Sequence, residues 1–133
     1  MANKIQLPHH GVYARIRRSK IHGVGVIAIQ KMKKGTKIFF GDDDPIIWIN
    51  RKQVARLPRE LKKLYQDFCI FQGDKIGCPS NFNRLTVAWY LNESSHPNVG
   101  CDKKDYAFYA LRNIKAGEEL TLDYSKFSEL PQI

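Results

Sequence analysis

Three short stretches of this chain carry residue types from which a site could be built. They are His22-Gly23-Val24-Gly25, the run WYLNESSHPNVGC from Trp89 to Cys101, and GEELTLDY from Gly117 to Tyr124. The two glycines beside an apolar segment let the backbone approach a ligand closely or take positive φ. A third glycine, which a dinucleotide-binding fingerprint needs, is absent, and a plain hairpin turn reads equally well. In the second stretch Pro97 has no N–H, Asn92 and Asn98 have turn-forming side chains, and Ser94 and Ser95 offer hydroxyls. Such a segment can aim backbone carbonyls and amides into a cavity, or cap itself at the surface. The third stretch sets Glu118, Glu119, Asp123 and Tyr124 after a glycine turn. Paired glutamates at a turn are ordinarily solvated, and a tyrosine just past a short strand ordinarily packs in a core with its hydroxyl on a carbonyl or water. No Ser, Cys or His stands in a spacing that pairs a nucleophile with a base. Cys69, Cys78 and Cys101 are odd in number and form no CxxC pair, and His96 does not complete a ligand set with them. No metal and no disulfide framework are expected; free thiols are.

The elements that must hold these stretches are short. Val12 to Arg17 alternates apolar and polar residues as a strand does, Val24 to Ile29 is an apolar strand after the His22-Gly turn, and Lys37 to Phe40 and Ile46 to Ile49 are strand-like. Asp42-Asp-Asp-Pro breaks the chain between them. A helical segment starts at Asn50, Pro58 suits a first helical turn, and Leu57, Leu61, Leu64 and Phe68 recur at helical spacing. Residues 70–81 read as loop with at most a short strand, and 83–91 as a short helix or strand. Tyr106 to Arg112 and Leu120 to Asp123 are the last strands. The pattern predicts a mainly β fold: several small curved sheets with one short helical insert.

At 133 residues the chain is expected to form one domain with a real core. Residues 1–10 read as a lead-in, 11–127 as the domain and 128–133 as a C-terminal tail. No apolar run is long enough to span a membrane, and there is no secretory leader, so an intracellular protein is expected: nuclear in a eukaryote, cytoplasmic in a prokaryote. The formal net charge of +9 is uneven. Lys4, Arg15, Arg17, Arg18, Lys20, Lys31, Lys33, Lys34 and Lys37 precede Asp42 with no acid among them, and from Asp42 onward basic and acidic residues balance. Such a third attracts nucleic acid or an acidic protein surface, or is a solvated face without a partner.

Taken together and in this order, HGVGVIA, WYLNESSHPNV and GEELTLDY resemble the SET-domain family of protein lysine methyltransferases. That family's pattern is a Gly-x-Gly turn, then Asn-His-Ser-x-x-Pro-Asn, then Gly-Glu-Glu-Leu-Thr-x-Asp-Tyr. The last motif is matched throughout; in the middle one Glu93 stands where the family usually has His. The resemblance covers about residues 11–127. It implies the β-clip arrangement of the SET fold, with the GEELTLDY segment threaded in a knot-like way under the NESSHPN loop. It implies S-adenosylmethionine as methyl donor, S-adenosylhomocysteine as product, and a lysine of a protein substrate as acceptor, on a histone or another chromatin-like basic protein. Carried over by position, His22, Gly23, Val24, Gly25, Asn92, Glu93, Ser94 and Tyr124 would hold the cofactor, and Tyr124 would be the catalytic tyrosine. Tyr90, Tyr106, Phe108, Leu122 and Phe127 would line the lysine channel, with Phe127 as its lid. The basic third would keep the enzyme near nucleic acid or chromatin, and a homodimer is one way for so small a domain to complete its site. A non-catalytic module of the same fold, gripping nucleic acid or an acidic protein, is the competing class.

Overall fold

A computed structural model describes residues 5–133. Met1 to Lys4, part of the expected lead-in, lie outside the described residues, and so does the cation Lys4. In chain order the strands are β1 (Ala14–Arg18), β2 (Val24–Ala28), β3 (Lys37–Ile38) and β4 (Ile47–Asn50). The helix α1 (Arg59–Phe68) follows, then β5 (Ile70–Gln72), β6 (Lys75–Cys78), β7 (Asn92–Glu93), β8 (Val99–Cys101), β9 (Phe108–Ala110) and β10 (Glu119–Leu122). They form three small sheets: β1-β2-β10-β7, β3-β9-β8 and β4-β6-β5. The expected mainly β architecture is what the chain adopts, and no described helix is long and apolar enough to cross a membrane.

The first sheet organises everything near the motifs. β2 pairs antiparallel with β1 on one side and β10 on the other, and β10 then runs parallel to β7. Val26 and Leu120, paired in register, are both fully buried. Each such side chain contributes roughly 1.5–3 kcal/mol by leaving water. β10 is therefore a late segment inserted between an early strand and the NESSHPN loop. Asn98, 3% exposed, locks it there. Its Nδ2 donates to Glu119 O at 2.8 Å, and its Oδ1 accepts from Thr121 N at 2.8 Å.

The third sheet and α1 form the insert, with its own small core of Val54, Phe71, Ile76 and Cys78. Residues 70–81 are not a loop: β5 and β6 make a hairpin that adds to β4. The alternation was hidden because Gly77 has no side chain; the Trp48 ring occupies that space, and a Cβ there would lie 2.8 Å from Trp48 Cη2. Residues 83–91 are neither helix nor strand but two 3-10 turns, Phe82–Arg84 and Val87–Tyr90, the first capped by the Asn81 side chain. Pro58 sits just before α1 rather than within its first turn. Leu61, expected on the buried helix face, is 46% exposed; Phe68 of the same expected stripe does dock, joined by Tyr65, against Phe82 and Tyr90. The last residues pack on the insert, where Glu129 N donates to Phe71 O at 2.7 Å and Arg51 Nη1 to Gln132 O at 3.0 Å.

Candidate active site

β7 is two residues long, and successive strand residues face opposite ways. Asn92 turns toward the His22–Gly25 turn, and Glu93 lines a cavity of about 1000 Å³ between the first sheet, the insert and the C-terminal segment. The motifs thus build two compartments that share one wall.

On the first side is a dense polar cluster. Asn92 Nδ2 lies 3.1 Å from His22 O, 3.0 Å from Val24 O, 2.9 Å from Glu119 Oε2 and 3.1 Å from Ser19 Oγ. Ser19 Oγ donates to the Glu119 carboxylate at 2.7 Å and accepts from Ile21 N and His22 N. Gly25 is required by this packing: a Cβ there would stand 2.9 Å from Glu119 Cδ and 3.0 Å from Asn92 Nδ2. Gly23 takes φ of +49°, which closes the turn and which glycine adopts without strain. His22, Gly23 and Val24 are exposed. Ser94 serves its own turn, with Oγ accepting from His96 N at 3.0 Å, and its N–H donates to Leu122 O. Ser19 was not singled out in the sequence, and Glu119 was read there only as one of two solvated turn glutamates, whereas it is half-buried and held by Ser19 and Asn92. Only their shared distance from the glycine turn, invisible in a linear chain, marks them.

On the second side, Leu91, Leu122, Tyr124, Phe108, Tyr106 and Phe127 line the cavity. The Tyr124 hydroxyl donates to the Leu91 carbonyl, and its ring meets Phe127 edge-on with centroids 6.2 Å apart. The Phe127 carbonyl accepts from Gln72 Nε2 at 2.8 Å, which ties this ring to the insert. Tyr90 is elsewhere: its ring packs edge-on against Phe68 at 5.4 Å and does not line the cavity. Trp48 and Phe39, not marked in the sequence, do line it. Phe39 and Tyr106 take φ of +60° and +54°, a left-handed backbone that costs bulky residues on the order of 1–2 kcal/mol and is found mostly at functional sites.

The cavity's charge opposes that of the whole chain. Asp42, Asp43, Asp44, Asp67, Glu93, Asp105 and Glu129 line it, against Lys37 and Lys104. The Asp42-Asp-Asp run, a mere chain-breaker in the sequence, is part of this rim. The described cations of the N-terminal third are exposed, and none enters an ion pair among the described residues.

Glu93 touches the tyrosine directly. Its Oε2 accepts from Tyr124 N at 3.2 Å. Burial first, and the Glu93 charge second, push the Tyr124 hydroxyl up to about 12. Tyr124 therefore stays protonated through the neutral and mildly alkaline range. Because a nearby negative charge disfavours the phenolate, Glu93→Gln should move this value down, by less than the full shift since burial remains. A carbon-detected NMR titration of labelled tyrosines measures it; an upward or absent shift would contradict the contact. Burial also holds the Cys101 thiol near 11, a protonated and unreactive form. No group of three His, Cys, Asp or Glu among the described residues is placed to hold a metal ion.

Comparison with known proteins agrees with this fold. The family model described as the SET domain matches residues 23–125, most of the chain. Among solved structures, the crystal structure of a Plasmodium falciparum candidate histone methyltransferase is similar. It is 23% identical, covers 85% of this chain and 93% of its own, and superposes with a TM-score of 0.55, a likeness of fold. A comparison with curated proteins found none that matches.

Proposed function

From the premise that this chain belongs to the SET-domain family, we propose that it transfers a methyl group from S-adenosylmethionine to a lysine side chain of a basic protein, with histone-like chromatin proteins as the target class. One observation carries the reading: Tyr124 stands in the cavity wall beside β7, whose other face meets the glycine turn.

The residues on the turn side fit the amino-acid end of the cofactor. Asn92 Oδ1 accepts no hydrogen bond among the described residues, and it is not a buried unpartnered atom, so it is open to a donor such as an α-ammonium. His22, Gly23, Val24, Gly25 and the Ser94 region would complete that hold. Bound there, S-adenosylmethionine supplies an electrophilic methyl on a sulfonium, so the protein's part is alignment and desolvation.

The cavity side suits the acceptor. A lysine arrives as an ammonium, with a solution pKa of about 10.4. The acidic rim draws it in, and the apolar throat of Leu91, Leu122, Phe108 and Phe127 disfavours its charge, so the proton leaves to solvent. The Tyr124 hydroxyl has committed its proton to Leu91 O. Its oxygen is left as an acceptor for an amine N–H, which turns the amine lone pair away from the tyrosine. Aromatic walls favour a methylated ammonium by roughly 0.5–2 kcal/mol. The peptide itself would lie along the rim, and the exposed basic face of Arg15, Arg17 and Arg18 would hold the enzyme near nucleic acid.

Labelled cofactor and two lysine peptides test this. One peptide flanks the lysine with arginines, the other with glutamates. The basic peptide should be methylated with kcat/KM at least about tenfold higher, and the ratio should shrink with salt as the Debye length drops from about 10 Å at 0.1 M to 3 Å at 1 M. Methylation of neither peptide, nor of any mixture of basic proteins, would favour a non-catalytic module instead.

A further inference from the structure

Asn92 Nδ2 has more acceptors within reach than it has hydrogens, and three of them cannot donate. His22 O and Val24 O are carbonyls, and Glu119 Oε2 belongs to a carboxylate. If the amide were reversed, Asn92 Oδ1 would face three acceptors at about 3 Å, each contact repulsive. The surroundings therefore dictate which end of the amide points inward, and Oδ1 is turned to the open side.

Of these three acceptors Glu119, on β10, is the one side chain, and it has a second hold. Ser19 Oγ donates to both of its oxygens, at 2.7 and 2.9 Å. Ser19 in turn accepts from the N–H groups of Ile21 and His22, and its own N–H donates to Gly23 O at 2.9 Å. Gly25 leaves the gap through which the carboxylate reaches Asn92. The neighbouring Glu118 is not interchangeable: it turns outward to Lys115 N and Arg112.

We propose that Glu119 is a positioning residue. Held by Ser19, it fixes the Asn92 amide with its oxygen outward and so makes the glycine turn selective for a ligand bearing a cationic amine. This rests on the reading that S-adenosylmethionine binds at that turn. A glutamine at 119 keeps the shape but can present its own NH2 to Asn92, which turns one of the three acceptors into a donor and weakens the bias against a reversed amide. The reversed amide would point donors at an ammonium.

Calorimetry on the purified chain with two probes tests this. One is S-adenosylhomocysteine; the other is its deamino analogue, in which hydrogen replaces the α-ammonium. The parent should prefer the first by tenfold or more. Glu119→Gln should weaken that ligand about tenfold while changing the analogue less than twofold, so that selectivity collapses. Ser19→Ala should go the same way, and Glu118→Gln should leave both affinities at parent values. In the free protein, the Asn92 side-chain amide resonances should move in Glu119→Gln and not in Glu118→Gln. Equal weakening of both ligands in Glu119→Gln would mean a merely structural role and overturn the proposal, as would unchanged selectivity. If the parent binds neither ligand, the cofactor reading falls and this proposal falls with it. Parent binding with an unaltered Glu119→Gln overturns this proposal alone.

Discussion

Tyr124→Phe will fold like the parent and bind cofactor like the parent, yet turn over at least about a hundredfold more slowly. The substitution removes one oxygen and keeps the ring that lines the cavity and meets Phe127 edge-on at 6.2 Å. The structural loss is one hydrogen bond to the Leu91 carbonyl, worth about 0.5–1.5 kcal/mol. The kinetic loss is larger, because that bond is what leaves the oxygen as a fixed acceptor for the incoming amine. Without it the amine is free to rotate in an apolar throat, and misorientation of this kind costs on the order of a hundredfold in rate. A single-turnover assay with labelled cofactor, together with thermal melts and cofactor calorimetry, checks all three parts. A rate within about threefold of the parent would reduce Tyr124 to a core tyrosine whose hydroxyl happens to meet a carbonyl.

Asn98→Leu should be the most destabilising single change away from the apolar core. Asn98 is buried, and both ends of its amide bind the backbone of β10, at Glu119 O and Thr121 N. Leucine has nearly the same size, so the change opens little space. It leaves a buried carbonyl and a buried N–H without partners, at about 1–3 kcal/mol each. A total of about 2–6 kcal/mol is a large share of the roughly 5–15 kcal/mol that holds such a domain together. The melting temperature should fall by on the order of 10 °C. Asn98→Asp keeps the acceptor for Thr121 N but loses the donor to Glu119 O and buries a charge, so it should do no better. A drop under about 1 kcal/mol in denaturant melts for the leucine variant would show that β10 is held by its strand pairing alone. Since β10 carries both Glu119 and the approach to Tyr124, cofactor affinity should fall along with stability.

Much of this was legible in the linear chain because it is local. The glycine turn before β2, the turn chemistry of Asn92 to Asn98, and the short strand leading into Tyr124 all depend on residues within a few positions of each other. What was missed is also physical in origin. Gly77 and Gly100 interrupt the alternation that would have marked β6 and β8, since a strand residue without a side chain gives no signal; large rings, Trp48 and Tyr109, fill the spaces above them. Tyr106 looked like the start of a strand, but its positive φ turns the chain there, and β9 begins only at Phe108. Tyr90 sits beside the NESSHPN motif in sequence, yet the 3-10 turn of Val87–Tyr90 points its ring at Phe68.

The order and spacing of the motifs, the β character and the uneven charge belong to the sequence itself, because backbone preferences and local side-chain capping act over a few residues. The pairing of distant groups does not. Ser19 and Glu119 stand 100 positions apart, and Asn92 and His22 stand 70 apart. An acidic run at Asp42 to Asp44 becomes one wall of a cavity only when the third sheet and the last residues close around it. Hydrogen-bond partners and local fields are set by distances of a few ångströms, and those distances between separate elements come into being only when β10 inserts between β2 and β7.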